Sequence, residues 1–510
     1  MILKILMMAA FFAVTIYIGF RARKSAADVD GFVLGGRKVG PWLSAFAYGT
    51  SYFSAVVFIG YAGQFGWKYG MAAVWIGLGN AFIGSLLAWY VLGARARAMT
   101  HHLRAQTMPE FFGARFSSRW LRIAAATIIF VFLIPYTASV YNGLSRLFDM
   151  AFGIPYEWCI AAMAVLTCIY VTLGGYMATV VNDLVQGCIM LAGIVAIIVA
   201  ALGDHGGFTR AMIALSQVPN NIPGTEGMQG AFVSFFGPDL FDLAGVLVLT
   251  SLGAWGLPQM VQKFYAIKSS NAIQRGAIIS TLFALVVAGG SYFLGGFGRL
   301  AADRIGYTGI GAPIYDSVIP AMLANMPDLL IGLTAVLVLS ASMSTLSSLV
   351  LTSSSTLTLD FLKGNFIREM DVKRQLVAIR LLIVVFVLIS GVIALVQYNS
   401  SVIFIAQLMS ISWGALAGAF LAPFLYGLYW KRATAASVWA CFAFALALVC
   451  SNMAWNYIAS PINAGALAML AGLVIVPLVS FVTPRLEAAR VDALFRDSYL
   501  NLHDNRIDAD

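Results

Sequence analysis

Charge is scarce in this sequence. Only 10% of its 510 residues are Asp, Glu, Lys or Arg, against about 25% in a typical soluble domain. Cysteine is scarce too, with five residues and no CxxC pair, which excludes a disulfide-stapled scaffold and a zinc ribbon. In contrast, 61% of the residues are hydrophobic. They form runs of about 20, long enough to cross a hydrocarbon core of about 30 Å as helices, so the composition predicts an all-α integral membrane protein.

Enzyme motifs are missing as well. The sequence contains no HExxH, GxSxG, P-loop or dinucleotide-binding pattern in the required context, and we predict that the protein is not an enzyme. His101 and His102 lie in a basic segment without nearby cysteine or clustered carboxylates, so no transition-metal site is predicted. The cysteines fall in apolar runs and are predicted to be small buried side chains. They are Cys159, Cys168, Cys188, Cys441 and Cys450.

Thirteen apolar runs qualify as membrane spans, numbered here 1 to 13. They cover residues 2–20, 42–63, 70–92, 121–148, 156–173, 182–201, 239–256, 272–297, 327–360, 377–396, 402–430, 434–458 and 461–482. The first run lacks a small-x-small cleavage site and continues into RARK, so we interpret it as a retained helix. The longest hydrophilic connection, 203–238, is long enough to carry a short helix of its own.

The positions of Lys and Arg predict that the N-terminus lies outside and the C-terminus lies in the cytoplasm. With that orientation, six of the 31 basic residues lie outside, and the other 25 lie in cytoplasmic connections, the adjoining span ends or the tail. The six are Lys4, Lys68, Arg146, Arg210, Arg299 and Arg304. Topology thus explains the net charge of +9. We expect a multi-pass protein of the inner (plasma) membrane with no nucleic-acid partner.

Spans 2 and 7 are both interrupted. Span 2 contains AYGTSYFSA at 47–55, and span 7 contains SLGAWGLPQ at 251–259. The two lie five spans apart and so have opposite topologies, as an inverted repeat of five plus five helices requires. Broken helices expose backbone groups that only a cavity or a ligand satisfies in lipid, whereas glycine-rich segments also serve simple helix packing. The matching positions of the pair favour the midplane site of a transporter.

Span 9 is dense in hydroxyl groups, in LSASMSTLSSLVLTSSSTLTLDF at 339–361. On a helix, Ala341, Ser344, Thr345 and Ser348 share one face. Neutral hydroxyl and carbonyl oxygens suit a hard cation such as Na⁺. Alternatively, Ser and Thr bond back to the i−4 carbonyl and pack against small neighbours. The hydroxyls that fit this alternative better are Ser342, Ser347 and residues 352–355.

One acidic residue lies well inside a span. It is Asp183 in GGYMATVVNDLVQG, near the cytoplasmic start of span 6. Intramembrane carboxylates are candidates for function, and this one is placed to stabilise a cation that leaves the site. Alternatively, it is a charge at a helix N-terminus that the helix dipole favours. Glu157 and Asp242 lie at span ends and are interpreted as caps or interfacial charges.

Six segments, in this order, resemble the sodium:solute symporter family, most closely its bacterial sodium/proline symporter branch. They are GFVLGGRKVGPWLSAFAYGTS, TMPEFFGARF, PYTASVYNGLSRLFDMAFGIPYE, LGGYMATVVNDLVQ, GLPQMVQKFYAIKS and LSASMSTLSS. The resemblance implies that helices 2–11 form the five-plus-five inverted repeat of the leucine-transporter fold. It also implies a single transmembrane domain at 1–482, with the repeat core at about 42–430 and a short cytoplasmic tail at 483–510.

The resemblance further implies site residues. A sodium site between spans 2 and 9 would use the backbone carbonyls of Thr50, Phe53 and Ala341 and the hydroxyls of Ser344 and Thr345. Asp183 matches the aspartate that the family places near the inward exit of sodium. The solute pocket would be lined by Ser54, Val56, Val57, Tyr136, Thr250, Ala254, Trp255 and Pro258.

This chain departs from the proline branch in the pocket. That branch has aspartate at Tyr52, tryptophan at Val56 and Thr250, and tyrosine at Ala254, whereas Tyr136 and Pro258 are retained. The sodium residues therefore match while the pocket walls are smaller. This change leaves the identity of the solute and the effect of Tyr52 on cation preference open.

These observations predict a Na⁺-coupled symporter that imports a small organic solute, an amino acid such as proline or a short carboxylate, by alternating access. Na⁺ would be its coupling ion. Two alternatives remain: a proton-coupled or uncoupled carrier of the same fold, and a solute sensor that does not transport. The expected partners are the solute and the lipid bilayer. A monomer would suffice for transport, and the sequence leaves the oligomeric state open.

Overall fold

The computed structural model describes residues 2–309, 311–363, 366–367, 369–400 and 405–503. Helices dominate this part of the chain, and it contains three isolated bridges but no strand. The helices of spans 1 to 4 are Ile2–Ala22; Pro41–Tyr52 with Val56–Tyr61 and Ala62–Tyr69; Val74–Gly79 continuing to Ala94–His102; and Arg119–Phe152. Spans 5 and 6 share Tyr156–Asp204, and span 7 comprises Leu240–Gly253 and Pro258–Tyr265. Spans 8 to 13 are Ser270–Gly296, Asp328–Thr356 with Leu357–Leu362, Val372–Ser400, Ile405–Tyr429, Ala435–Trp455 and Pro461–Val482.

Glycines divide the two longest helical stretches into separate spans. Among the described residues, eleven helices are long and apolar enough to cross a membrane. Two of these, Val56–His102 with 47 residues and Tyr156–Asp204 with 49 residues, exceed the roughly 20 residues that one crossing needs. The first is divided at Gly70 (φ 58°, ψ −134°) and the second at Gly175 (φ 53°, ψ −142°), where a side chain would strain the backbone. With these two divisions the count becomes thirteen, as the sequence predicts.

Both predicted interruptions are present. The first half of span 2 ends at Phe53, whose backbone is extended (φ −95°, ψ 116°), and the next helix begins at Val56. In span 7 the first helix ends at Gly253, and the second begins at Pro258 after an extended Leu257. Proline suits this position because the first residues of a helix have no intrahelical partner for their N–H groups.

Span 9 packs against spans 1, 2, 4 and 10 and against the helix Tyr156–Asp204 of spans 5 and 6. Every residue from Thr334 to Thr356 is buried. The hydroxyl groups of this span therefore face other helices and not lipid.

The prediction for the cysteines is wrong in part. Cys159 and Cys441 are buried and Cys168 is half-buried, but Cys188 and Cys450 are exposed on the outer surface of the bundle. An apolar sequence does not distinguish the two environments, because lipid tails accept a small hydrophobic side chain as well as the protein interior does.

The connection 203–238 contains a short helix, Phe208–Ser216, as its length suggested. Arg299 anchors this connection from the neighbouring loop. Its guanidinium lies 3.8 Å from the centre of the Phe232 ring and donates to the Asn221 side chain at 2.8 Å. Burial lowers the pKa of this arginine to about 10.

The predicted tail contains a helix, Ala488–His503. This helix packs against the C-terminal end of span 3, Ala94–His102. Asp492 pairs with Lys431 at 2.6 Å, and the guanidinium of Arg115 lies 5.2 Å from the centre of the Phe495 ring.

Candidate functional site

The hydroxyl of Ser344 connects span 9 to the interruption of span 2. Ser344 Oγ lies 3.2 Å from the Thr50 carbonyl oxygen and 3.1 Å from the Ala341 carbonyl oxygen. The structure thus brings together three of the five predicted sodium ligands, all buried. The one hydroxyl proton of Ser344 therefore lies within reach of two carbonyl oxygens that are themselves predicted sodium ligands.

Thr345 and Phe53 complete the predicted set. The Thr345 hydroxyl is buried and has no hydrogen-bond partner among the described residues. An isolated buried hydroxyl is costly, and a bound cation would satisfy its oxygen. Phe53 lies in the extended segment at which the helix stops, so its carbonyl is released from the regular helical pattern. These features fit a small cation held by neutral oxygens, although the ion itself stays a prediction.

Other hydroxyls of span 9 bond within their own helix. Ser342 Oγ donates to the Val338 carbonyl at 2.7 Å, and Ser347 Oγ donates to the Ser344 carbonyl at 2.9 Å. Ser355 likewise donates to Leu351 at 2.7 Å. Back-bonding within the helix is therefore confirmed for these three residues. It is wrong for Thr352, whose Oγ1 donates to Gln262 Oε1 of span 7 at 2.8 Å, and the hydroxyls of Ser353 and Ser354 have no hydrogen-bond partner among the described residues.

Asp183 lies eight residues beyond the division at Gly175, about two turns into the helix of span 6. Its side chain is fully buried. The interpretation as a charge at a helix N-terminus is therefore wrong, because the dipole effect fades within the first turn.

The partner of Asp183 was not found from the sequence. Lys263, which the topology assigned to the connection after span 7, is buried, and its Nζ lies 3.8 Å from Asp183 Oδ2. The same Nζ donates to Ser348 Oγ at 3.0 Å, and Ser348 Oγ lies 2.8 Å from Ser51 Oγ. A buried carboxylate inside a membrane demands a cationic neighbour, which is the signal that could have led to this lysine.

In the predicted solute pocket, Ser54 and Tyr136 lie close to Trp413 of span 11, a residue that was not predicted. The Tyr136 and Trp413 rings are 6.0 Å apart, edge to face. The Tyr136 hydroxyl lies within reach of the Ser54 hydroxyl and the Trp413 indole, but none of the three polar groups completes a hydrogen bond among the described residues. Sequence reasoning missed Trp413, because a tryptophan in an apolar span carries no mark of its role.

The remaining predicted pocket residues lie at the two interruptions. Tyr52, whose ring is 6.0 Å from that of Trp413, donates to the Thr250 carbonyl at 2.5 Å and thereby connects the breaks. The Trp255 indole N–H donates to the Ile83 carbonyl of span 3 at 3.0 Å. The other members are buried at the helix ends of the two breaks: Val56, Val57, Ala254 and Pro258.

The candidate site is closed to solvent. Ser54, Thr50 and Ser344 have no exposed surface, and Trp255 is 7% exposed. Three surface cavities of about 410, 390 and 400 Å³ lie elsewhere, and none of them is lined by a predicted site residue. Because burial and unpaired polar groups coincide between the two breaks, this region stays the candidate site and these surface cavities do not.

Sequence comparisons agree on one family. The profile of the sodium:solute symporter family matches residues 32–443. The osmoregulated proline transporter OpuE of Bacillus subtilis (strain 168) is 29% identical over 436 residues, which cover 84% of each chain. A sodium/proline symporter of Staphylococcus aureus is 27% identical over 506 residues, covering 94% of this chain and 92% of the relative.

Solved structures share the architecture. A substrate-bound, outward-open Na⁺-coupled sialic acid symporter aligns with a TM-score of 0.75 and 17% identity, covering 95% of this chain and 99% of its own. Mhp1 in an inward-facing conformation aligns with a TM-score of 0.52 and 14% identity, covering 90% and 95%. At these identities the likeness concerns the fold alone, and it confirms the predicted fold class.

Proposed function

This chain belongs to the sodium:solute symporter family, whose members couple Na⁺ to a small solute, and on that premise we propose that it imports a short organic carboxylate. Na⁺ would bind between spans 2 and 9, at the carbonyls of Thr50, Phe53 and Ala341 and the hydroxyls of Ser344 and Thr345. The carboxylate would bind beside it, at Ser54, Tyr136 and Trp413. Alternating access would carry both across.

The observation behind this proposal is the set of polar groups that face one another without completing a hydrogen bond. The indole N–H of Trp413 can only donate, and the hydroxyls of Ser54 and Tyr136 can donate as well. Three neutral donors in a buried pocket match the oxygens of a carboxylate, since hydrogen bonds to an ionised acceptor are the strong ones. Na⁺ at the adjacent break would add the positive charge that the pocket residues themselves lack.

Tyr52 favours a solute without an ammonium group. It stands where the proline branch has an aspartate, and its hydroxyl is already used by the Thr250 carbonyl. None of the proposed pocket residues carries a carboxylate that could pair with an ammonium group. Val56, Val57 and Ala254 would instead surround a short apolar tail.

The net charge moved per transport cycle distinguishes a carboxylate from an amino acid as the solute. One Na⁺ moved with one monoanionic carboxylate is electroneutral, whereas one Na⁺ moved with a zwitterionic amino acid gains about 2.3 kcal/mol per 100 mV of inside-negative potential. Uptake of labelled short carboxylates and amino acids would be measured in proteoliposomes under Na⁺, K⁺ or H⁺ gradients, with the potential clamped by valinomycin. We expect Na⁺-driven carboxylate uptake that is insensitive to the potential.

Other results would change the assignment. Potential-driven uptake of an amino acid would reject the carboxylate and keep the symporter. Uptake that follows the H⁺ gradient and ignores Na⁺ would support the proton-coupled alternative, and saturable binding without uptake under any gradient would support a sensor.

Tyr136→Phe should weaken solute binding while the ring packing survives. The change removes only the phenol hydroxyl, and a hydrogen bond to a charged group contributes about 1.5–3 kcal/mol. We therefore expect the half-saturating solute concentration to rise roughly ten- to a hundredfold, with Na⁺ dependence retained. Concentration-dependent uptake measures both quantities.

Tyr141→Phe is the matched control for this prediction. Tyr141 lies on the same helix as Tyr136 and is equally buried, and its hydroxyl also has no partner among the described residues. It interacts with Cys168 and Tyr170 and so faces span 5. If Tyr136→Phe changes uptake no more than Tyr141→Phe does, Tyr136 contributes packing and no donor.

A further inference from the structure

The pair formed by Lys263 and Asp183 lies immediately beside the proposed sodium site. Ser348 accepts from Lys263 Nζ at 3.0 Å and contacts Ser51 Oγ at 2.8 Å. Ser51 is the neighbour of Thr50, whose carbonyl receives the Ser344 hydroxyl. A continuous line of polar groups therefore runs from the proposed sodium ligands to the buried ion pair.

Lys263 stabilises the ionised carboxylate of Asp183. Neither carboxylate oxygen completes a hydrogen bond among the described residues, and Lys263 Nζ at 3.8 Å is the cation paired with it. The ammonium group also lies 5.2 Å from the centre of the Tyr176 ring, an additional attraction for a cation. Without a positive charge at this position, the carboxylate would remain buried and uncompensated.

The surroundings of the ammonium group are those that a free alkali cation would select. A carboxylate and the hydroxyls of Ser348 and Ser51 are hard oxygen donors. An ammonium group is a compact point charge with three donors on a flexible stem, so it can occupy the same position as a small monovalent cation. The stem joins it to the second half of span 7, and it therefore cannot be carried across the membrane.

We propose that Lys263 is a tethered cation that occupies the position a second Na⁺ would otherwise take at Asp183, and so limits coupling to one Na⁺ per solute. This inference rests on the Na⁺-coupled symport of the preceding subsection. The pair also connects the second half of span 7 to span 6, and Ser348 extends the connection to span 9. Lys263 is thus a residue that determines stoichiometry and does not itself bind the transported Na⁺.

Lys263→Met tests the proposal. Removing the ammonium group should open the position to Na⁺, so the Hill coefficient for Na⁺ in solute uptake should rise from about 1 towards 2. The thermal midpoint of the purified variant in detergent should also depend more steeply on Na⁺ than that of the wild type, because ligands that bind only the folded state stabilise it. K⁺ or choline at equal ionic strength is the control.

Two further variants isolate the charge. In the double variant Lys263→Met with Asp183→Asn, neither charge remains, and both the Hill coefficient and the Na⁺ dependence of the midpoint should return to wild-type values. Lys263→Arg keeps a tethered cation and should keep the wild-type coefficient.

Four results would overturn the proposal. The first is that Lys263→Met takes up solute with an unchanged Hill coefficient for Na⁺, and the second is that Lys263→Met is unstable at every Na⁺ concentration. The third is that the double variant keeps the raised Hill coefficient. The fourth is that the wild type has a Hill coefficient near 2, which falls in Asp183→Asn. A wild type whose uptake ignores Na⁺ would reject the proposed function itself, which is a distinct outcome.

Discussion

Replacing both Ser344 and Thr345 by alanine is expected to raise the half-saturating Na⁺ concentration for uptake more than any other change in the site. Ser344 stands between the Thr50 and Ala341 carbonyls, and the Thr345 oxygen is buried without a partner. Each interaction with a charged group contributes about 1.5–3 kcal/mol. Each single variant should therefore shift the Na⁺ concentration about ten- to a hundredfold, and the pair should lose saturation in the accessible range.

The control lies on the same helix. Ser342→Ala removes a hydroxyl that is buried to the same extent but bonds back to the Val338 carbonyl, so its Na⁺ dependence should stay within about twofold of the wild type. Initial uptake rates at varied Na⁺ and constant ionic strength measure the effect. If Ser344→Ala, Thr345→Ala and the double variant all saturate at the wild-type Na⁺ concentration, the hydroxyls of span 9 serve packing and the sodium site lies elsewhere.

The span pattern could be predicted because lipid imposes it. Apolar runs, the two interruptions and the basic connections all follow from the cost of placing polar groups in hydrocarbon. The helical period places Ser344 and Thr345 on one face and Ser342 and Ser347 away from it, but only the family resemblance proposes that face as a sodium site, since Ser344 also bonds back to the Ala341 carbonyl.

The sequence could not predict the features that depend on the protein interior. The second half of span 7, PQMVQKFY, is too polar for a hydropathy criterion, so Lys263 counted as a loop charge although it is buried. Burial between helices is not burial in lipid, and only the packing of spans 6, 7 and 9 reveals where this charge lies. Trp413 illustrates the same limit, because the orientation of one indole N–H depends on its neighbours in space.

The second large effect is expected where spans 2 and 8 touch through their backbones. A Cβ on Gly66 would lie 2.0 Å from the Gly295 carbonyl oxygen, and a Cβ on Gly295 would lie 2.1 Å from the Ala62 carbonyl oxygen. Overpacking costs about 1–3 kcal/mol and sometimes more. Backbone atoms cannot rotate out of the way, so Gly66→Ala should push the two helices apart and reach the upper end of that range.

The consequence should extend to transport. The helix Ala62–Tyr69 of span 2 follows the interruption at Phe53, so a displaced helix would shift the interruption and with it the carbonyl groups proposed to bind Na⁺. We expect Gly66→Ala to lower the thermal midpoint in detergent and to abolish Na⁺-driven uptake. Gly289→Ala, on the same helix as Gly295, is the control, because a Cβ there would meet no atom within 4 Å. If the two variants are equally stable and active, spans 2 and 8 are not fixed together at this contact, and the geometry of the sodium site does not depend on it.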